Sequence, residues 1–379
     1  MKKVIPVILM IAGILLLPGC GGQTAASDVK DDEQPALGSH FENGDDGSGG
    51  QSVTPAEEQD GDSGAGSGEY DRESVINDLK AGIDLSLKPN EAGQIMVVMY
   101  HNIGAEEKEW TRTPANFLKD LDTLYDKGYR PVSLQDYVSG NITTEQGFTP
   151  VVITFDDGNL NNFEYLEDGQ INAESAVGLL LYFHETHPDF PLEATFFLNG
   201  ELPFRQKSLI HQKLSFLVEN GMDVGNHTKD HNSLKKAGSE EIQEQIGRQA
   251  QYLKEALDRD DYEINALALP FGERPKDTAQ AGYLAAGSFD GVSYENIAIL
   301  NVGWNPAYSP YDPRFDHTSI PRVRASEMKV DNVGLYNYLD YFDRHPEERF
   351  ISDGAAEIIT VPEEKKESVS AVGREIYIY

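Results

Sequence analysis

The sequence predicts an α/β fold with a parallel β-sheet, and two observations support this. Short apolar runs that end in Gly, Pro, Asn or Asp are typical of buried strands, and four of them lie at residues 95–99, 151–155, 222–224 and 266–269. Amphipathic segments alternate with strand-like runs along the chain, which is the pattern of helices that connect parallel strands.

Further helices and strands complete this alternation. Amphipathic periodicity predicts helices at 114–125, 173–187, 211–219 and 239–257. Additional strands are expected at 195–198 and 320–324. Apart from that late strand, the segment after Asn301 is rich in Pro, Tyr and Asp and is expected to form loops.

A polar cluster directly follows each of the first four apolar runs. The clusters occupy residues 100–102, 156–158, 226–231 and 270–272. In a barrel of parallel strands, the side chains that follow the strands gather at one end of the barrel. The sequence therefore predicts that these four clusters form a single pocket.

Residues 1–20 have the pattern of an export signal. Two lysines precede an apolar stretch, 4–17, that is too short for a membrane span and has the length of a signal-peptide core. Cys20, the only cysteine of the chain, follows a proline and a glycine and resembles the lipid-bearing cysteine of bacterial lipoproteins. We expect an extracytoplasmic protein that is lipid-anchored to the membrane; an ordinary secretory signal with an incidental cysteine is the alternative.

Residues 21–72 are expected to form a disordered tether. They are rich in Gly, Ser and acidic residues and contain almost no large apolar side chains, so they cannot bury enough surface to offset the entropy of ordering. The whole chain has a formal net charge of −33, which argues against nucleic acid or anionic lipid as a partner. Solubility of an exported protein explains the same acidity equally well.

Two of the polar clusters contain side chains that suit a metal-dependent hydrolase. His227 and His231 are four residues apart, a spacing that places both imidazoles on one side of a helical turn. Two imidazoles and one carboxylate would leave coordination positions open for water and substrate. Asp156 and Asp157 end another strand, where one carboxylate can bind metal while its neighbour acts as a base. A turn that uses Asp-Asp-Gly only for its backbone preferences is the alternative.

The chain resembles the NodB-homology polysaccharide deacetylases, carbohydrate esterase family four. The resemblance rests on Thr154-Phe155-Asp156-Asp157-Gly158 and His227-Thr228-Lys229-Asp230-His231, and it extends over about residues 94–325. It implies a distorted (β/α) barrel of the polysaccharide deacetylase type. It also implies that Asp156 is the catalytic base and that Asp157, His227 and His231 bind a divalent transition metal. Zinc is the expected ion, with cobalt or nickel as alternatives.

Two family features are missing from the sequence. No arginine precedes Pro270-Phe271, and no late leucine-histidine motif supplies the usual general acid. Instead, Met99-Tyr100-His101-Asn102 resembles the first strand of the circularly permuted branch that deacetylates poly-N-acetylglucosamine. The resemblance to that branch implies that His101 is the general acid. A hydrogen-bonded core histidine is the alternative for His101.

Other residues have weaker expected roles. The backbone N–H of Phe271, after Pro270, is expected to face the oxyanion of the tetrahedral intermediate. Pro270 and the loop residue Trp304 are expected to contact substrate; Tyr308 and Tyr311 could also stack on sugar rings. His184 and His187 have the wrong spacing for a zincin and are expected to face solvent near a helix end.

The sequence thus leads to a specific expectation of function. We expect residues 73–379 to form one domain that hydrolyses the N-acetyl groups of N-acetylglucosamine units in a surface or cell-wall polysaccharide. The expected protein is a monomer. Two alternatives remain open: an O-acetyl esterase that acts on a glycan, and a glycan-binding lipoprotein without catalytic activity, which the missing arginine and late histidine would favour.

Overall fold

The computed structural model describes residues 72–379. The predicted signal peptide, Cys20 and residues 21–71 of the predicted tether lie outside the described residues. The helices are α1 Arg72–Gly82, α2 Pro114–Asp126, α3 Leu134–Ser139, α4 Ala176–Thr186, α5 Ile210–Glu219, α6 Ser239–Leu257, α7 Thr278–Ala285 and α8 Leu335–Arg344. No helix in residues 72–379 is long and apolar enough to cross a membrane.

The strands alternate with these helices, as predicted for an α/β fold. They are β1 Met96–Tyr100, β2 Asn102–Ile103, β3 Thr111–Arg112, β4 Tyr129–Pro131, β5 Thr149–Phe155, β6 Thr195–Leu198, β7 Asp223–Asn226, β8 Ala266–Ala268, β9 Ala286–Phe289, β10 Val292–Glu295, β11 Ala298–Leu300, β12 Val323–Arg324, β13 Ile358–Val361 and β14 Glu375–Ile378. The predictions of strands near 95–99, 151–155, 195–198, 222–224 and 266–269 are confirmed.

Within the described residues, eight of the strands form one parallel sheet that curls into a distorted barrel. The strand order is β11-β8-β7-β6-β5-β1-β12, and β4 pairs with the first residues of β5. Val98 of β1 lies beside Val323 of β12 and beside Ile153 of β5. A parallel bridge between Leu300 of β11 and Ile320, just before β12, joins the two ends of the sheet. The carboxyl ends of all these strands therefore point to the same end of the barrel.

The inner and outer faces of the barrel have different side chains. Val97, Val152, Ala268 and Leu300 come from four different strands and belong to one buried cluster, which fills the inside of the barrel. Met96, Val98 and Tyr100 alternate with Val97 along β1 and belong to a second buried cluster on the outer face of the sheet. This cluster also contains apolar residues of α2, α4, α5 and α8. This alternation follows from the two-residue period of a strand.

The start of α4 differs from the prediction. The helix begins at Ala176 and not at residue 173, because the Ser175 hydroxyl accepts a hydrogen bond from the N–H of Gly178 and caps the helix. The segment 159–175 before it contains a short 3-10 turn and a β-bridge between Tyr165 and Ile171.

The prediction of loops after Asn301 is only partly correct. Residues 301–319 are irregular and β12 occupies part of the predicted late strand, but α8, β13 and β14 also lie in this region. Leu335, Leu339 and Phe342 of α8 are buried, so the apolar spacing of this helix was present in the sequence. α1 packs against β13, and the hairpin of β9 and β10 packs against α6.

Candidate active site

Asp156 and Asp157 directly follow β5, and their side chains point in different directions. Asp156 is buried, with 1 % of its side chain exposed. Asp157 has a φ of 74°, a left-handed conformation that is uncommon for a residue other than glycine. The backbone therefore turns sharply after Asp156 and directs the Asp157 carboxylate towards the histidines of the next cluster.

Asp157, His227 and His231 converge at this turn. The Asp157 Oδ1 lies 3.6 Å from His227 Nε2 and 3.4 Å from His231 Nε2. One ligand atom from each of the three residues lies within 4.8 Å of the others, and within residues 72–379 no other group of His, Cys, Asp or Glu side chains meets this criterion. Two imidazole nitrogens and one carboxylate oxygen are a donor set that fits zinc or a related divalent ion.

The two histidines converge through a loop. The helical turn that their spacing had suggested is therefore wrong. Residues 227–232 form no helix, and both Thr228 and His231 have positive φ values. The loop is held by α6, since Gln245 accepts a hydrogen bond from the N–H of Asp230 and its carbonyl accepts one from the N–H of Lys229. The spacing of four residues therefore places the imidazoles together for a different reason.

The orientation of His227 is fixed by its other ring nitrogen. His227 Nδ1 lies 2.8 Å from the carbonyl oxygen of Ala268, the last residue of β8. A carbonyl can only accept, so Nδ1 carries the proton and the Nε2 lone pair faces Asp157. Burial lowers the pKa of His227, but the Asp156 and Asp157 carboxylates outweigh that effect and raise it above its ordinary value.

Arg322 forms a buried two-point ion pair with Asp156. Its Nη1 lies 2.7 Å from Asp156 Oδ1 and its Nη2 lies 2.6 Å from Oδ2, while Nε donates to the carbonyl of Asn301. The Arg322 side chain is fully buried inside the barrel. Burial alone would raise the pKa of Asp156, but the charge of Arg322, together with His227, holds the pKa of that carboxyl far below its usual range.

His101 follows β1 and reaches the same centre, as predicted. Its Nε2 lies 4.0 Å from Asp156 Oδ2, and 16 % of its side chain is exposed. The ring packs against Trp110, with 4.7 Å between ring centroids. Burial lowers the pKa of His101, more than the charges of Asp156 and Asp157 raise it. A histidine in the barrel mouth beside a carboxylate is placed to exchange a proton with a substrate.

The Pro270–Gly272 turn forms another side of the site. Pro270 is buried, whereas Phe271 has a φ of 61° and an exposed ring that packs 4.8 Å from the His231 ring. Within residues 72–379 the Phe271 N–H donates no backbone hydrogen bond. An amide donor in this position is available to a developing oxyanion.

The remaining predicted residues have different outcomes. Trp304 is exposed and lines a cavity beside the site. Tyr311 is buried and donates a hydrogen bond to the carbonyl of Gly140, so the prediction that it stacks on a sugar is wrong. His184 and His187 are only partly exposed: His184 bonds to the carbonyl of Phe190, and His187 stacks on Phe183 at the end of α4. They take no part in the site.

Two residues of the site were not identified from the sequence. Arg322 was assigned to a late strand, and nothing in the local pattern indicates that it reaches Asp156. Trp110 lies only nine residues after His101, in the segment between β2 and β3. The only available signal for it was its identity, since one of the two tryptophans of the chain stands close to a candidate catalytic residue.

The site can be compared with known proteins. The solved structures that are similar to the chain include Streptococcus pyogenes deacetylase PplD in complex with acetate, IcaB from Ammonifex degensii, and a de-N-acetylase from Aggregatibacter actinomycetemcomitans. Their sequence identities are 19 %, 19 % and 13 %, and their TM-scores are 0.48, 0.43 and 0.45, in that order. The similarity covers 65 %, 62 % and 65 % of this chain and 97 %, 93 % and 99 % of those chains.

Most residues of the site lie in a segment whose sequence is similar to a known family. No curated protein gives a significant sequence match. Residues 144–286 match the polysaccharide deacetylase family. This segment contains Asp156, Asp157, His227, His231 and the Pro270–Gly272 turn, whereas His101 and Arg322 come from outside it. The part of the chain that holds the aspartates and the three candidate metal ligands is therefore similar to polysaccharide deacetylases.

Proposed function

We propose that the protein is a metal-dependent hydrolase that removes acetyl groups from N-acetylglucosamine units of a surface or cell-wall polysaccharide. The observation that carries this proposal is the convergence of a candidate metal-binding trio, an ionised carboxylate and a histidine at one end of the barrel. The Asp157 carboxylate lies within 3.6 Å of both His227 and His231, while the Asp156 carboxylate lies 4.0 Å from His101. The family match of residues 144–286 supports deacetylation as the reaction.

Each side chain has a distinct role in this proposal. A divalent ion held by Asp157, His227 and His231 would lower the pKa of a bound water and polarise the acetyl carbonyl. Asp156 accepts a proton from the attacking water, whose oxygen forms a bond to the acetyl carbon. His101 donates a proton to the sugar nitrogen as the carbon–nitrogen bond breaks, so the products are acetate and a free amine. The Phe271 N–H stabilises the oxyanion of the intermediate.

Arg322 supports this division of roles. It keeps Asp156 ionised at neutral pH, so that Asp156 can accept a proton but has none to donate. The acid must then be another residue, and His101, whose Nε2 lies 4.0 Å from Asp156 Oδ2 and which is not one of the three candidate metal ligands, is the side chain that fits this role. Arg322 also supplies an arginine to the base, although none precedes Pro270. This weakens the alternative of a binding protein without catalytic activity.

We also propose that the protein is exported and anchored to the membrane by a lipid on Cys20. The apolar stretch 4–17 and the single cysteine support this location. An acidic chain of net charge −33 would not repel a neutral or partly deacetylated, cationic glycan. We infer zinc as the ion, because the donor set contains two imidazoles and one carboxylate.

The test is release of acetate from N-acetylglucosamine oligomers of different linkage. Wild-type protein should release acetate steadily, lose this activity with a chelator, and regain it when zinc is added. His211→Ala is a matched control, since His211 is an exposed histidine outside the site whose Nδ1 contacts the carbonyl of Ala256. Acetate release only from an O-acetylated glycan such as xylan would identify an esterase. Saturable glycan binding without acetate release from any glycan would identify a binding protein.

A further inference from the structure

A cavity of about 500 Å³ lies next to the candidate active site. Trp110 and Trp304 both line it, and they are the only two tryptophans of the chain. Met99, at the end of β1, and Gly303 also line it, so the cavity lies at the same end of the barrel as the site. Trp110 is 39 % exposed and Trp304 is 58 % exposed, which leaves aromatic surface accessible on both.

Two residues that line the cavity also contact residues of the candidate active site. On one side Trp110 packs against the His101 ring, with 4.7 Å between centroids. On the other side Gly303 lies directly on the backbone of Arg322, so closely that a Cβ added at Gly303 would overlap the Arg322 carbonyl. The cavity and the candidate active site are therefore separated by single residues, Trp110 on the side of His101 and Gly303 on the side of Arg322.

The wall that carries Trp304 is held in place. The carbonyl oxygen of Trp304 accepts a hydrogen bond of 2.6 Å from the Tyr338 hydroxyl of α8, and the same hydroxyl contacts Asn305. The Arg324 guanidinium lies 4.6 Å from the Trp110 ring centroid and orients the other wall. The backbone of Trp304 and the ring of Trp110 are therefore held in place before a ligand binds, which reduces the entropy lost on binding.

The charges that line the cavity compensate one another. Arg324 lies 3.3 Å from Glu109, and Lys329 lies 2.9 Å from the other oxygen of the same carboxylate. Asp331 supplies a second negative charge against the two positive ones. The cavity thus combines aromatic surface with polar groups but has no excess charge, which suits a neutral sugar ring better than a phosphate or a uronic acid.

We propose that this cavity, here called the tryptophan subsite, binds the uncharged sugar next to the one that is deacetylated. This inference rests on the proposed function and adds to it where the neighbouring sugar of the polysaccharide binds and that this sugar carries no charge. Trp110 and Trp304 contact the neighbouring ring, and Trp110 also forms the boundary between that ring and His101. The subsite would also select polymers whose neighbouring units carry no negative charge.

Intrinsic fluorescence tests this proposal without any turnover, because both tryptophans of the chain line the subsite. In the presence of a chelator, the N-acetylglucosamine tetramer should change the emission saturably. Trp110→Phe and Trp304→Phe should each retain part of this signal. A tetramer of alternating N-acetylglucosamine and glucuronic acid should bind at least about tenfold more weakly. An unchanged emission with the neutral tetramer, or equal affinity for the charged one, would overturn the proposal.

Kinetics provide the second readout. Trp304→Ala should raise KM for the tetramer about tenfold with little change in kcat, since the lost contact stabilises the bound substrate and the transition state equally. The N-acetylglucosamine monomer should be affected much less, and Trp304→Phe should restore most of the loss. Tyr182→Ala, which removes an exposed aromatic ring on α4, is the matched control and should leave both constants unchanged. Equal effects of Trp304→Ala on monomer and tetramer would contradict a subsite.

The two levels of the proposal fail in different ways. Saturable fluorescence binding without acetate release would reject the proposed reaction and retain the subsite as a glycan-binding site. Acetate release from the tetramer that is insensitive to Trp304→Ala would retain the reaction and reject the subsite.

Discussion

Arg322 and Asp156 form a buried ion pair between residues 166 positions apart in the sequence. Both oxygens of the carboxylate are engaged, at 2.7 and 2.6 Å, and both side chains are almost completely buried. The pair links the strand that carries the candidate base to the segment that joins the two ends of the barrel. The pair is therefore expected to affect both the charge of the candidate base and the stability of the closed barrel.

Arg322→Ala is expected to destabilise the protein by about 3–5 kcal/mol, because it leaves the Asp156 charge buried without a partner. The double variant Arg322→Gln, Asp156→Asn removes both charges and should be less destabilised than the single variant. Chemical denaturation at pH 7 measures both. A loss below about 1 kcal/mol for Arg322→Ala would show that Asp156 is not charged in the folded protein.

The same pair gives a dependence on pH. The pKa of Asp156 is lower in the folded protein than in the unfolded chain. The stabilisation is therefore complete above the ordinary pKa of an aspartate, about 4, and is lost as the pH falls below it. The difference in the free energy of unfolding between wild type and Arg322→Ala should accordingly become smaller as the pH is lowered from about 5 to roughly 3.

The sequence predicted the composition of the site better than its geometry. Asp156, His101 and the three candidate ligands could be named because each follows a strand, and the ends of parallel strands meet. Arg322 could not be assigned to Asp156, because a pairing between distant segments depends on how the barrel closes. The loop that carries His231 was misjudged for a similar reason: its positive φ values depend on contacts with Gln245 of α6.

His101→Ala should lower kcat by about 10²–10⁴-fold while the bound metal is retained. His101 is expected to donate the proton that the leaving amine needs, and it is not a member of the metal-binding trio. Steady-state kinetics together with metal analysis of the same sample measure both effects. If His101 is only a packing residue of Trp110, the folded variant would be less stable but nearly as active as wild type.

Asp156→Asn should have the same kinetic effect as His101→Ala for the opposite reason, since it removes the proton acceptor. Metal content should stay close to that of the wild type, because Asp157 remains. A loss of metal in Asp156→Asn would mean that the two aspartates have exchanged roles.

His227→Ala, His231→Ala and Asp157→Ala should each remove most of the bound metal along with activity. The purified wild-type domain should contain one divalent transition metal ion. His345→Ala is a suitable control, since His345 is partly exposed, lies after α8 and is outside the candidate site. Full metal occupancy in any of the three ligand variants would remove that residue from the site.

Cys20→Ala should move the protein from the membrane fraction to the medium or the periplasm. The prediction follows from the single cysteine after the apolar stretch 4–17 and from the acidic, Gly-rich segment behind it. Fractionation of cells that express each form measures the distribution. A membrane fraction that does not change would show that a different feature anchors the protein.

Two acidic residues away from the site should make the domain more stable in mild acid. Burial raises the pKa of Glu193 to about 7 and that of Asp223 to about 6, and the negative charge of Asp223 adds to the effect on Glu193. The folded protein therefore binds more protons than the unfolded chain in this range. The contribution of each group to stability is fully present below its ordinary pKa and is lost as the pH rises through its pKa in the folded protein.

Glu193→Gln should remove part of this penalty. The variant is expected to be more stable than wild type by about 1 kcal/mol at pH 8 and to show no gain at pH 4, where Glu193 is already protonated. Thermal unfolding at the two pH values measures the difference. Glu185→Gln, a change of an exposed glutamate on α4, is the control and should behave alike at both. An equal gain for Glu193→Gln at pH 4 and pH 8 would show that the substitution acts through packing and not through the charge.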